Sequence, residues 1–127
     1  MSAARILIIE DNDSLRTILR TALSKAGYEV TEAGDGTSGL ASYRQDPFDV
    51  VVTDILMEGI EGLETIRELR RDYPQVKIIA MSGADTYMAD KNLESSVING
   101  ADLTLTKPFR MQSMLRAITT LLSPAQP

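Results

Sequence analysis

Three consecutive valines, Val50-Val51-Val52, followed by Thr53 and Asp54, constrain this chain more than any other stretch. β-branched side chains suit a pleated surface, and the run from Asp49 to Met57 carries no helical stripe. It reads as a strand buried on both faces. Asp54 stands at its end, where a carboxylate has to be solvated, paired or bound to a metal. Taken alone, it is simply the first loop residue after a strand. Its meaning depends on what the other strands end on.

The chain alternates strand-like runs with helical stripes. Arg5 to Ile9 is a short apolar strand that stops at Glu10-Asp11-Asn12-Asp13, and Asn12 or Asp13 can cap the next helix. That helix carries Leu15, Ile18, Leu19, Ala22, Leu23 and Ala26 on one stripe and ends at Gly27. A second strand is expected over Tyr28 to Thr31, and a helix over Thr37 to Gln45 before Pro47. After the valine strand, a charged helix runs from Leu63 to Asp72 with Leu63, Ile66 and Leu69 inward. Val76 to Met81 is the fourth strand, ending at Ser82-Gly83. Ala89, Leu93 and Val97 give a narrow stripe for a fourth helix. Leu103 to Thr106 is the fifth strand, ending at Lys107-Pro108-Phe109. Met111, Met114, Leu115, Ile118, Leu121 and Leu122 mark the fifth helix.

Five such alternations with right-handed crossovers predict an α/β fold: a doubly wound parallel sheet of five strands, covered on both faces by five helices. A length of 127 residues suits one domain, expected over residues 1–122, with 123–127 as a tail or the start of a linker. No apolar run approaches the roughly 20 residues of a membrane span, and residues 1–5 lead straight into a strand without a signal-peptide pattern. A cytoplasmic protein with no membrane partner is expected. The net charge of −5 argues against a nucleic-acid backbone as direct partner.

In sheets of this kind the site lies beyond the carboxyl ends of the strands. Those ends carry Glu10 and Asp11, Asp54, Ser82 and Lys107; the second strand ends without a functional group. Carboxylates meeting at one rim repel by about 4 kcal/mol per pair at ~4 Å and an effective dielectric of ~20. A hard dication relieves this, and an all-oxygen, partly hydrated site suits Mg²⁺. The chain has neither cysteine nor histidine, which excludes thiolate sites, His-based zinc sites and a Ser-His-Asp triad. Mg²⁺, a lysine and a hydroxyl around one carboxylate match phosphoryl transfer. Asp54 is the expected nucleophile. Glu10, Asp11 and Asp54 are the expected metal ligands, and Lys107 and Ser82 are expected to bind phosphoryl oxygens. Without histidine, the chain is an acceptor from a donor elsewhere.

These residues resemble the receiver domain of two-component response regulators, chemotaxis-type regulators included. The matching pieces are Ile8-Ile9-Glu10-Asp11, Asp54-Ile55-Leu56-Met57, Met81-Ser82-Gly83, and Gly100-Ala101-Asp102 through Lys107-Pro108-Phe109. The resemblance implies that Asp54 accepts a phosphoryl group from a histidine kinase or a histidine phosphotransfer protein. It implies that the backbone carbonyl of Leu56 completes the metal shell, and it makes Lys107–Pro108 a candidate cis bond. It implies a flavodoxin-like sheet in the strand order 2-1-3-4-5, and a signalling domain rather than an enzyme, apart from self-catalysed phosphorylation and slow autodephosphorylation.

Glu58 and Glu61 stand where the family often has Pro and Asp, and Thr104 stands where it usually has an aromatic switch residue. A threonine cannot swing inward to fill space as a ring does. Leu56 and Ala84 are apolar at positions that set phosphoryl lifetime in the family, so slow self-hydrolysis is expected. Output is expected through the fourth helix, fifth strand and fifth helix toward a downstream protein, with Tyr87, Met88, Lys91 and Thr104 as candidates on that face. Two alternatives are a receiver-like interaction module that works without phosphate, and a haloacid-dehalogenase-type phosphatase built on Asp11-Asn12-Asp13.

Overall fold

A computed structural model describes residues 3–55, 61–83 and 100–123. In chain order these form β1 (Arg5–Ile9), α1 (Asp13–Lys25), β2 (Glu29–Ala33), α2 (Gly36–Gln45), β3 (Val50–Asp54), α3 (Glu61–Asp72), β4 (Ile78–Gly83), β5 (Leu103–Lys107) and α4 (Met111–Leu122). All strand pairs are parallel, in the order β2-β1-β3-β4-β5. The expected sheet is therefore present. Among the described residues there are four helices rather than five. The helix expected around Ala89, Leu93 and Val97 lies outside the described residues.

Strand side chains alternate between two apolar layers. Leu7, Ile9, Val51, Ile78 and Ala80 pack with Leu40 and Tyr43 of α2 and with Ile66 and Leu69 of α3. Ile6, Ile8, Val50, Val52, Ile79 and Met81 pack with Leu19 and Leu23 of α1 and with Met114 and Ile118 of α4. β3 is buried at all five positions, as its valines required, because it has strands on both sides and helices on both faces. β5 is an edge strand and alternates half-buried with exposed.

Local chemistry sets the element ends. Asn12 caps α1 by accepting from the Leu15 N–H at 2.8 Å, and Asp13 and Lys25 complement the helix dipole. Gly27 takes φ 101°, a conformation that side chains disfavour, and so turns the chain out of α1. The Tyr28 N–H is still donated to the Leu23 carbonyl, at 3.2 Å. The second strand therefore starts one residue later than expected and runs on to Ala33, which pairs with Ile9. Likewise the Val76 N–H donates to the Tyr73 carbonyl at 2.9 Å and closes the turn after α3. β4 thus begins at Ile78 rather than Val76, and it includes Ser82 and Gly83. A Cβ on Gly39 would run into the side chain of Ile9, so this glycine lets α2 lie close on β1. Ile18 is 55% exposed, although the α1 stripe places it inward. At roughly 100° per residue it falls to the side of the buried line through Leu19 and Leu23.

Candidate functional site

The sheet order reverses between β1 and β3, and the register decides what meets there. Ile9 pairs with Thr53, which brings Glu10, one residue on, level with Asp54. Asp54 in turn pairs with Met81, Ser82 with Thr106, and Gly83 with Lys107. Glu10, Asp54 and Ser82 are all buried, at 1%, 5% and 3% exposure, while Asp11 is exposed. One carboxylate oxygen from each of Glu10, Asp11 and Asp54 lies within 4.8 Å of the other two. Lys107 reaches across from the edge strand. Its Nζ donates to Asp54 Oδ2 at 2.8 Å and to Glu10 Oε1 at 3.1 Å.

Among the described residues the charge at this rim is unbalanced, because one ammonium faces three carboxylates. Burial raises the pKa of Glu10, partly offset by the Asn12 N–H that it accepts at 3.0 Å and reinforced by the nearby charge of Asp54. Burial works against the charge of Lys107 too. Its hydrogen bonds and charge pairing with Asp54, then Glu10, outweigh that, so its pKa is raised and it stays protonated. An all-oxygen donor set of this spacing, with two buried acids and one open to solvent, fits a hard divalent cation. Of the residues expected to build the site, interatomic distances bring together Glu10, Asp11, Asp54 and Lys107, and strand register adds Ser82. Leu56 lies outside the described residues. The Lys107–Pro108 bond is cis.

The sequence matches the response regulator receiver domain family over residues 6–119. The chain belongs to that family. It is 33% identical over 118 residues to the response regulator receiver protein CpdR of Brucella abortus, covering 93% of this chain and 96% of CpdR. It is 32% identical over 122 residues to the uncharacterized transcriptional regulatory protein YkoG of Bacillus subtilis, covering 96% of this chain. The chain spans about half the length of YkoG, 52%. Among solved structures it resembles the response regulator TrrA of Thermotoga maritima in complex with Mg²⁺-BeF, with a TM-score of 0.81 and 31% identity over 96% of this chain and all of that one. Receiver domains are signalling domains of two-component systems, and the acidic rim lies beyond the carboxyl ends of the strands, where the sheet order reverses.

Sequence reasoning did not single out Arg16 of α1, which touches the acidic loop from behind. The Arg16 guanidinium donates to the Glu10 carbonyl at 2.9 Å. Its spacing from the acids is ordinary for the polar side of a helix, so no sequence signal marks it. Thr104, expected on the output face, is exposed on β5; Tyr87, Met88 and Lys91 lie outside the described residues, as does Ala84.

Proposed function

We propose that this receiver accepts a phosphoryl group on Asp54 from a histidine kinase or a histidine phosphotransfer protein, in a reaction that requires Mg²⁺. The supporting observation is the pairing of Asp54 with Lys107 at 2.8 Å inside a triangle of three carboxylates at the sheet's switch point. An Asp54 oxygen attacks the phosphorus of the donor. An O–P bond forms, the P–N bond to the donor imidazole breaks, and its electron pair leaves on the imidazole nitrogen. Lys107 supplies fixed positive charge beside the transferring oxygens, and Ser82 supplies a hydroxyl donor at the same edge. Glu10, Asp11 and Asp54 would hold Mg²⁺, with the Leu56 carbonyl as the family's further ligand. When bound, the ion neutralises charge on the phosphoryl oxygens.

The phosphoryl group adds charge at a place already crowded with carboxylates. Ser82 and Lys107 close on it, and the loop after Ser82 and the face that includes Thr104 shift to present a docking surface to a downstream protein. Leu56 and Ala84 cannot orient an attacking water, so the acyl phosphate decays slowly. The absence of a direct nucleic-acid partner is proposed for this stretch alone, since YkoG is a longer, transcriptional regulatory protein.

Intact-mass spectrometry after incubation with acetyl phosphate tests the proposal. The expected outcome is one added phosphoryl mass that depends on Mg²⁺ and is absent from Asp54→Asn. No adduct, under conditions that label another receiver, would leave a phosphate-independent interaction module as the better reading.

A further inference from the structure

Of the three acids at the rim, Asp11 is held least. Glu10 accepts from Lys107 and from the Asn12 N–H, and Asp54 accepts from Lys107. Asp11 is exposed, and among the described residues no hydrogen bond or ion pair holds its side chain. Its carboxylate is therefore aimed by the backbone that carries it. That backbone is tied at two points. The Glu10 N–H donates to the Ala33 carbonyl of β2 at 3.0 Å. The Glu10 carbonyl, half of the peptide joining Glu10 to Asp11, accepts from Arg16 at 2.9 Å.

Arg16 is itself fixed from three sides. Besides the Glu10 carbonyl, its guanidinium meets Asp13 Oδ1 at 2.6 Å in the first turn of α1 and Glu32 Oε1 at 3.3 Å on β2. Arg20 pairs with the other oxygen of Glu32 at 3.0 Å. A planar fork with several donors can hold three acceptors on three elements at once, which a point charge cannot. Its charge is met by Asp13 and Glu32 rather than by the rim acids. What it gives the rim is orientation of one peptide plane.

We infer that Arg16 is a positioning residue for the metal-binding acids, acting through the Glu10–Asp11 peptide. This role rests on the reading of Glu10, Asp11 and Asp54 as the Mg²⁺ ligands. Groups that orient metal ligands from behind typically contribute 10- to 100-fold in metal affinity. The sign of the effect separates this role from simple electrostatics. Removing a cation near a dication site tightens binding through charge alone; removing a positioning residue weakens it.

The experiment is a calorimetric titration of the full chain with Mg²⁺ alone, on the wild type, Arg16→Gln and Arg16→Lys, with thermal unfolding of each in EDTA. The expected result is Mg²⁺ binding by the wild type and a loss of about tenfold or more in affinity for Arg16→Gln. Arg16→Lys keeps the charge but reaches fewer acceptors, so it too binds more weakly; its affinity decides the question if Arg16→Gln does not fold. Unchanged or tighter binding in the folded variants, beside normal wild-type binding, overturns the role of Arg16 and leaves the metal site standing. A lowered unfolding midpoint with unmoved Mg²⁺ affinity does the same, since it marks a purely structural arginine. A wild type that binds no Mg²⁺ overturns the metal-site reading itself, and the role of Arg16 with it.

Discussion

The two ends of the sheet hold charge in opposite ways: a half-exposed pair at one, buried acids at the other. At the amino end, Arg70 of α3 donates to the Gly100 carbonyl at 3.0 and 2.8 Å, to the Pro74 and Val76 carbonyls at 2.9 and 2.7 Å, and to Asp102 at 2.9 Å. Asp102 Oδ2 also accepts the Ile78 N–H at 2.7 Å where β4 begins. One cation meets one anion, and carbonyls take the remaining donors. At the carboxyl end, one lysine is shared by two buried carboxylates with a third close by. The first arrangement is complete in itself and ties α3 to the sheet. Among the described residues, the second sets one cation against three acids. By that contrast the amino end is a brace and the carboxyl end is the proposed binding site.

Substitutions at the two ends should therefore separate function from stability. The largest effect is expected at the rim. Lys107→Ala removes the fixed charge beside Asp54 and should slow phosphorylation by acetyl phosphate about 100-fold or more, as loss of one charge-stabilising donor typically does. Labelling kinetics at saturating Mg²⁺ measure this; a rate within a few-fold of the wild type would make Lys107 a structural partner of the acids. Arg70→Ala should do the reverse. It takes the guanidinium donors from the Gly100, Pro74 and Val76 carbonyls and from Asp102, which keeps the Ile78 N–H, and should lower stability by about 2 kcal/mol, read from urea unfolding. Its phosphorylation rate, measured while folded, should be unchanged. If rate falls and stability does not, the contrast between the two ends fails.

The smallest effect is expected away from both. Asp35 caps α2 by accepting the Ser38 N–H at 2.8 Å, and that bond holds its carboxyl below the ordinary aspartate range. Asp35→Ala should cost about 1 kcal/mol at neutral pH. Because the folded pKa is depressed, the cap's contribution is full above the unfolded value of about 3.9 and is lost as pH falls through the folded value. The stability gap between wild type and variant should thus close in acid. A gap that persists there would assign the effect to packing rather than to the charged cap.

Much of the site was legible because strand ends are local features. The valine run ended on Asp54, the first strand on Glu10 and Asp11, and the fifth on Lys107; parallel topology alone sends such ends to one rim. The buried stripe of α1 was less legible. Periodicity admits Ile18, yet the helix settles on Leu19 and Leu23, since the sheet beneath selects which part of a wide stripe it covers. Arg70 and Arg16 were not legible as braces. Each works through backbone carbonyls, and one carbonyl looks like another in a sequence.

Sequence alone determined the types of the described elements, a parallel sheet with two apolar layers, and which chemistry was available to a chain without histidine or cysteine. These follow from side-chain periodicity and composition, which act residue by residue. Tertiary structure alone decided that Lys107 divides itself between Asp54 and Glu10 rather than neutralising one acid, and that Arg16 grips the peptide between the first two acids. Those contacts join residues 53, 97 and 6 positions apart. Their lengths depend on register and on the reach of a flexible side chain, which become fixed only once the sheet is assembled and its helices are packed.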